Sequence, residues 1–136
     1  MEAKAKKDHK FIEGVGRRKT AIARVRLHKG ASAPVINSRE LKRYFPLKVH
    51  QDIALAPLTT LQLEKTYAFE AKVRGGGTAA QAEAIRHGLA RAIVKSDSAW
   101  KPRLRLSGFL TRDPRMVERK KYGKKKARVS PQWSKR

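Results

Sequence analysis

Residues 67–95, YAFEAKVRGGGTAAQAEAIRHGLARAIVK, hold the strongest signals for the fold of this chain. Apolar and polar side chains alternate from residue 67 to residue 74, which predicts a strand that is buried on one face. From about residue 78 to residue 95, apolar residues recur at every third or fourth position, which predicts a long amphipathic helix. The glycines at 75–77 separate the two patterns and predict the turn that connects the strand to the helix.

Similar strand patterns occur towards the N terminus. Residues 20–28 alternate cleanly and predict a half-buried strand with a basic outer face. Residues 11–15 and 34–37 are shorter strand candidates, and Lys29-Gly30 suits a tight turn between two strands. The sequence therefore predicts four strands.

Three more helices are predicted outside the opening stretch. Ser38 is a candidate N-cap for a helix over residues 39–45, and a second helix is expected over residues 47–56. A short helix over residues 99–106 tolerates Pro102 only in its first turn. The resulting order, βββααβαα, predicts an α/β fold of the α+β type, a two-layer sandwich in which helices cover one face of a mixed four-stranded sheet.

The charge of the chain points to a polyanionic partner. Its 136 residues include 34 Lys and Arg against 11 Asp and Glu, a formal net charge of +23. This excess is larger than solubility requires and opposes compactness, so phosphate is the expected counter-charge. No stretch approaches the roughly 18 apolar residues of a membrane span, and no membrane partner is expected.

No motif in the chain is typical of an enzyme. Cysteine is absent, which excludes disulfides and thiolate metal sites, and the four histidines lack the spacing of metal ligands. The chain has neither a nucleophile elbow nor a complete nucleotide-binding glycine motif. We therefore expect no catalytic residue, metal, cofactor or small-molecule substrate.

Composition divides the chain into three parts. Residues 1–10 are expected to be a short disordered basic lead, residues 11–106 a globular domain, and residues 107–136 an extended basic tail. This C-terminal tail has eleven Lys and Arg against two carboxylates, and its apolar residues are too sparse for a core. Asp113-Pro114 is a candidate turn or helix start, with Asp113 as the cap of a short helix over residues 115–121. Fully extended, the tail would span about 100 Å.

Two glycine-containing motifs are candidate phosphate sites. In GVGRRKT (residues 14–20), the glycines permit close backbone approach or positive φ, and the cations Arg17, Arg18 and Lys19 follow them immediately before a strand, which is typical of a phosphate clamp. The alternative is a solvated surface turn. The glycines at 75–77 precede the long helix, where backbone N–H groups attract phosphate. For at least one of them, a turn that lets the helix pack closely on the sheet is favoured instead.

Three ordered motifs resemble one known family. They are GVGRRKTAIARVRL (residues 14–27), GGGTAAQAEAIRHGLARAI (75–93), and GFLTRDPRMVERKKYGKKKAR with a terminal SKR (108–136). At this spacing they are similar to the universal ninth protein of the small ribosomal subunit, over nearly everything after Lys10. The resemblance implies a compact α/β domain in the subunit head, of the type also known in the second domain of the fifth small-subunit protein. It also implies a tail that is threaded through ribosomal RNA.

The resemblance also implies partners for individual residues. Ser134, Lys135 and Arg136 would lie beside the anticodon stem-loop of transfer RNA in the peptidyl site, where the terminal cations hold backbone phosphates. For His87, a surface histidine without an RNA contact is the alternative. Tyr122 is suited to stacking on bases. The residues expected to contact ribosomal RNA come from the first two motifs and the tail: Arg17, Arg18, Lys19, Arg86, His87, Arg112, Arg115, Arg119, Lys120, Lys121, Tyr122, Lys124, Lys125, Lys126 and Arg128.

These expectations describe a structural constituent of the small ribosomal subunit, with neighbouring head proteins as further partners and a cytoplasmic or organellar ribosome as its location. The alternative is a free nucleic-acid chaperone or nucleoid-type protein, which would use the same charge without a fixed site. Composition fits both, whereas the ordered motifs and the SKR terminus favour the ribosome. Three places depart from the bacterial pattern: Val15, where Thr is frequent, Thr78-Ala79-Ala80, where Leu-Ser-Gly or a similar triplet is usual, and Trp133, where Phe is common. None of these changes removes a cation.

Overall fold

The computed structural model describes residues 11–136, and the expected disordered lead, residues 1–10, lies outside the described residues. Residues 11–136 form five strands and four helices, with a 3₁₀ turn at Ser98–Trp100 before the last helix. The elements are β1 (Ile12–Arg18), β2 (Ala21–Lys29), β3 (Val35–Ile36), β4 (Arg39–Glu40), α1 (Leu41–Tyr44), α2 (Lys48–Leu61), β5 (Tyr67–Arg74), α3 (Thr78–Ser96) and α4 (Lys101–Leu106).

The five strands form one mixed sheet in the order β1-β2-β5-β3-β4. Neighbouring strands are antiparallel except β3 and β5, which run parallel. α3 packs along β1 and β2, and α2 packs beside α3. The predicted α+β class, a mixed sheet packed against helices, is confirmed, although the sheet has five strands rather than four. The tight turn expected at Lys29-Gly30 is not formed: Lys29 ends β2, and Gly30 begins a longer connection to β3, which is not a neighbour of β2 in the sheet.

β4 is the strand that the sequence pattern does not predict. Asn37 and Ser38 both have positive φ, 48° and 65°, and form the turn that returns the chain from β3 to β4. The interpretation of Ser38 as a helix N-cap is therefore wrong, because α1 begins only at Leu41 and is preceded by Glu40 without a side-chain cap. A strand of two residues is too short to show alternation, so Arg39–Glu40 blends into the helical pattern.

β1 runs past its predicted end because its glycines lie inside the strand. A Cβ at Gly16 would lie 1.9 Å from the Ala84 carbonyl oxygen, and one at Gly14 would lie 2.3 Å from the Gly88 carbonyl oxygen. α3 thus runs along β1 with the two backbones in contact. Only glycine leaves room for so close an approach. Gly14 and Gly16 are therefore buried against α3, so the expectation that they belong to a phosphate clamp, or to a solvated surface turn, is wrong for these two glycines.

The core lies between the sheet and α3. Every second side chain of β2 is buried, as the alternation predicts, and this face of β2 meets α3. Ile85, Leu89 and Ile93 of α3 are each 0% exposed, and full burial of each such side chain contributes about 1.5–3 kcal/mol. Within residues 11–136, no polar or charged residue is fully buried. The cations are therefore arranged around the surface of this core.

The other predicted elements differ from the structure mainly at their ends. β5 is confirmed over its predicted range, and α3 is confirmed with an end at Ser96. α2 does not stop before Pro57 but continues through it to Leu61, and Gln62 closes the helix with φ 57°. α4 has Pro102 in its first turn, as expected.

The turn between β5 and α3 requires its first two glycines. Gly75 and Gly76 have φ of 75° and 67°, and a Cβ at Gly75 would lie 2.6 Å from the Thr20 carbonyl oxygen. The turn interpretation is therefore confirmed for these two residues. Gly77 has open space around it and is the N-cap of α3. The close approach of Gly75 to Thr20 brings this turn beside the β1–β2 hairpin.

Candidate RNA-binding surface

The residues expected to bind RNA lie in three places on the structure. Arg17 and Arg18 end β1, and Lys19 lies in the hairpin that follows it. Arg86 and His87 lie in the middle of α3. The remaining residues belong to the C-terminal tail, which contains neither a helix nor a strand after the end of α4.

The tail divides into two parts that differ in their contacts. Residues 107–115, the tail root, approach the body, whereas residues 116–136, the distal tail, are almost all exposed. Phe109 and Leu110 of the root are half-buried against the core. The root is thus packed on the body although it has no regular secondary structure.

The helix predicted over residues 115–121 is not formed. Asp113 accepts a hydrogen bond from the Arg115 backbone N–H at 3.0 Å, but this bond closes a turn and does not cap a helix. Met116 and Val117 are 57% and 89% exposed. Because both side chains are largely exposed, little apolar burial offsets the cost of nucleating so short a helix.

Arg18 connects the tail root to the body. Its guanidinium forms ion pairs with Glu83 of α3 and with Asp113 of the root, the latter at 2.9 Å. Its Nη1 also donates to the Arg115 carbonyl oxygen at 3.4 Å. The Arg18 side chain is only 13% exposed, so the two ion pairs are partly shielded from water and salt. The charge of Arg18 is therefore already paired within the chain, and the residue holds the root in place.

Asp113 remains ionised in this cluster. Hydrogen bonds from the Arg115 side chain are the main cause that lowers the pKa of Asp113, followed by the hydrogen bond from the Arg115 backbone. The positive charge of Arg18 lowers this pKa further. The carboxylate therefore stays available as an acceptor for both guanidinium groups.

Arg86 and His87 face the same root from α3. The guanidinium carbon of Arg86 lies 5.4 Å from the centre of the Phe109 ring, within the range of a cation–π interaction. Nδ1 of His87 accepts a hydrogen bond from the Arg17 backbone N–H at 3.3 Å. Burial is the main cause that lowers the pKa of His87, and the charge of Arg91 adds to it, whereas a backbone hydrogen bond in the root opposes it. The ring is therefore neutral at neutral pH.

The contact between the root and the body leaves little free space. It encloses a cavity of about 20 Å³, close to what one water molecule needs and far below the size of a ligand pocket. We call this contact the joint. It positions the tail and does not form a small-molecule site. The joint is lined by residues of β1, α3 and the root: Arg17, Arg18, Glu83, Arg86, His87, Phe109, Thr111 and Asp113.

α3 also covers the free edge of β1 with polar side chains. Arg91 donates to the Val15 carbonyl oxygen at 2.7 Å, and Lys95 donates to the Glu13 carbonyl oxygen at 2.8 Å. These residues follow His87 at intervals of four, a rise of about 6.0 Å on the helix, which nearly matches the roughly 6.7 Å between alternate residues of a strand. The contacts occupy acceptors that an edge strand would otherwise offer to another chain.

The distal tail is exposed, and most of its charge is unpaired. Tyr122 and Trp133 are 97% and 82% exposed. Glu118 pairs with Lys121 at 2.7 Å and with Arg128 at 2.9 Å. The other cations of this segment form no ion pair with any carboxylate of residues 11–136 and can accept an external anion: Arg119, Lys120, Lys124, Lys125, Lys126, Lys135 and Arg136.

Three residues of this surface do not follow from motif reasoning. Glu83 pairs with Arg18, and Arg91 and Lys95 bind the β1 edge. The four-residue spacing of 87, 91 and 95 is a signal for a shared helix face, but its partner is visible only in the fold. In the part of the chain that the structure describes, no group of three His, Cys, Asp or Glu side chains could hold a metal ion. No helix there is long and apolar enough to cross a membrane.

This basic surface agrees with the comparison to known protein families. The sequence profile of the family described as ribosomal protein S9/S16 matches residues 16–136, from within β1 to the end of the distal tail. The match includes the hairpin cations, the whole of α3 and the joint. The resemblance carried by the three sequence motifs is therefore confirmed. The chain belongs to the ribosomal protein S9/S16 family and is a structural, RNA-binding protein of the small ribosomal subunit.

Proposed function

We propose that this protein is a constituent of the small-subunit head and that its distal tail reaches the anticodon stem-loop of transfer RNA in the peptidyl site. One observation carries the proposal: the tail root is fastened to the body by Arg18, while the cations beyond it are exposed and largely unpaired. A chain that is fixed at one end and positively charged at the other suits threading through RNA. The 21 residues of the distal tail could span about 70 Å when extended.

The terminal residues suit a contact that every transfer RNA offers. Ser134, Lys135 and Arg136 are all exposed. Lys and Arg bind backbone phosphates without reading base sequence, so one terminus can serve all transfer RNAs. The hydroxyl of Ser134 adds a hydrogen-bond donor beside the two charges.

The geometry divides the proposed ribosomal RNA contacts into two classes. Arg17 and Lys19 are exposed beside the hairpin and are free to bind phosphate, as are the unpaired cations of the distal tail. Arg18, Arg86 and His87 lie in the joint, where they position the tail relative to the RNA. Neighbouring head proteins complete the set of proposed partners, in a cytoplasmic ribosome.

Deletion of Ser134 to Arg136 tests the reach of the tail. It removes no core residue, so the truncated protein should still assemble into small subunits, and these should bind peptidyl-site transfer RNA more weakly. The slope of log affinity against log salt should fall by about 0.7–0.9 for each of the two lost phosphate contacts. As a charge-matched control, Lys48→Gln with Lys65→Gln removes two exposed cations from the body and should leave transfer RNA affinity unchanged. Truncated subunits with unchanged affinity and slope would contradict the proposal.

Sedimentation of the intact protein at high salt tests whether it has a fixed ribosomal position. A dedicated RNA site should retain it in the small-subunit peak, because shape and partly shielded contacts persist when loose charge attraction is screened. Loss of the protein to the top of the gradient, with free RNA binding intact, would instead support the chaperone alternative.

A further inference from the structure

The face of the sheet that points away from α3 carries a second group of cations. Alternation in β1, β2 and β5 places Gly14, Ala23 and Ala71 towards the core, so their sequence neighbours point to the opposite side. We call this opposite side the open sheet face. Its cations are Arg17, Arg24, Arg26, Lys72 and Arg74.

The strand register brings these cations together in a compact patch. Arg17 lies opposite Ile22, which lies opposite Arg74; in the next row, Arg24 lies opposite Lys72. With strands about 4.8 Å apart and about 6.7 Å between alternate residues, the patch measures about 10 Å by about 13 Å. A groove of about 280 Å³ runs through it, lined by Ile22, Arg24, Lys72, Val73 and Arg74.

The charge of the open sheet face is only partly compensated. Its carboxylates are Glu13 and Glu70, which lie opposite Arg26 on either side. Glu13 pairs with Arg24 at 2.5 Å, and a hydrogen bond from that side chain lowers its pKa, so the pair stays ionised.

Most cations of the patch lack such a partner. Arg17, Arg26, Lys72 and Arg74 form no ion pair with any carboxylate in residues 11–136. The face therefore keeps a local excess of positive charge, and three of these four cations have exposed side chains.

The patch is continuous with the hairpin cations. Arg74 leads into the glycine turn at 75–77, and a Cβ at Gly75 would lie 2.6 Å from the Thr20 carbonyl oxygen in the β1–β2 hairpin. The exposed Lys19 lies in the same hairpin. One basic surface thus extends from the hairpin onto the open sheet face, across three strands.

We propose that the open sheet face binds the sugar-phosphate backbone of ribosomal RNA, as a contact separate from the tail. The chemistry fits phosphate because four of its five cations are arginines, whose planar guanidinium groups donate two hydrogen bonds to one phosphate. Contacts from arginine and lysine to phosphates carry no base sequence, so the contact recognises backbone shape and not sequence. The inference rests on the proposed function only in taking ribosomal RNA as the ligand.

Salt-dependent binding of the full-length chain to deproteinised small-subunit ribosomal RNA tests the inference. Lys72→Gln with Arg74→Gln should lower the slope of log affinity against log salt by about 1.4–1.8 between about 50 and 200 mM salt, since two phosphate contacts are lost. Lys48→Gln with Lys65→Gln has the same net charge and should keep the original slope.

A tail variant separates failure of this inference from failure of the proposed function. If Lys124→Gln, Lys125→Gln and Lys126→Gln together lower the slope while Lys72→Gln with Arg74→Gln does not, the tail binds RNA and the open sheet face does not. If none of these variants changes the slope, neither the open sheet face nor the middle of the distal tail binds ribosomal RNA, and the inference fails, while deletion of Ser134 to Arg136 still tests the transfer RNA contact separately.

A single-cysteine probe identifies the occupant in assembled subunits. The chain has no cysteine, so Lys72→Cys gives one thiol for an iron chelate that generates hydroxyl radicals. Cleavage of ribosomal RNA from this position, with a different pattern from Thr60→Cys on α2, supports the proposal. Cleavage confined to the backbone of a neighbouring protein would overturn it in favour of a protein partner.

Discussion

Two regions of this basic chain give their side chains opposite environments. One region is the contact between α3 and β1, and the other is the distal tail. Where α3 crosses β1, Gly16 and Gly88 bring the backbones into contact, and the cations Arg91 and Lys95 donate to carbonyl groups of the strand. In the distal tail, a residue as large as Tyr122 is 97% exposed. Most of the cations there have no carboxylate partner within residues 11–136.

This difference shows that the number of cations does not by itself identify the residues that bind RNA. Arg18 and Arg119 are both arginines in motifs that resemble the family, but Arg18 is paired with Glu83 and Asp113. Arg119 is exposed, and within residues 11–136 its side chain donates to the carbonyl of the next residue alone. The first stabilises the protein, and the second is available to a partner.

The largest expected effect is on the α3–β1 contact. In Gly16→Ala, the new Cβ would lie 1.9 Å from the Ala84 carbonyl oxygen, so α3 must move away from the strand. We expect the free energy of unfolding, measured in urea, to fall by about 3 kcal/mol. Gly77→Ala is the control, because no atom lies near its Cβ, and it should cost about 1 kcal/mol or less. A similar loss in both variants would show that α3 is not closely held against β1.

An intermediate effect is expected when the same substitution is made in the two regions. Arg18→Met leaves Glu83 and Asp113 without their shared cation, and we expect a loss of about 1–2 kcal/mol, between the values of exposed and buried ion pairs. Arg119→Met should change the free energy of unfolding by less than about 0.5 kcal/mol. Urea unfolding compares the two variants directly.

Amide hydrogen exchange in the tail root adds a second readout for Arg18→Met. Exchange at Phe109 and Leu110 should become faster because the root loses its attachment, while Arg119→Met should leave it unchanged. If both variants lose equal stability and keep the same exchange rates, the joint does not hold the root.

The smallest expected effect is a pH dependence from His87. Its pKa is lowered in the folded protein by burial and by the neighbouring cations Arg91, Arg112 and Arg86, while in the unfolded chain it returns towards 6.5. The unfolded state then binds more protons as pH falls below about 6.5, so stability should decline on acidification in that range. The carboxylates whose pKa values are lowered change the free energy of unfolding only at lower pH, where they become protonated. His87→Gln should make the free energy of unfolding less dependent on pH between about pH 5 and 7. If the variant keeps the pH dependence of the unsubstituted protein, another group causes it.

The regular elements of the fold were predictable where side chains repeat over a sufficient length. β5, β2 and α3 have at least eight residues each, so alternation or helical periodicity is clear. Short elements carry too few repeats, which is why β4 and the turn at Ser38 do not follow from the sequence. α2 also continues through Pro57, which is buried in the fold, and the sequence pattern does not show this burial.

The sequence predicts the chemistry of the candidate site, but it does not predict which cations are already paired within the protein. Charge and motifs placed Arg18, Arg86 and His87 among the RNA-binding residues, and the structure places them in the joint. The ion-pair partners of Arg18 are Glu83 and Asp113, which lie 65 and 95 positions away from it in the chain. No local pattern marks such a pair.

The sequence by itself determined the α+β class, the family and the need for a polyanion, because periodicity, ordered motifs and net charge are properties of the chain that folding does not change. The tertiary structure alone decided which cations are paired and which are available. It brings α3 against β1, the root against α3, and the cations of three strands onto one face. Ion pairing depends on distances of a few ångströms between residues far apart in sequence, and only the packed fold sets those distances.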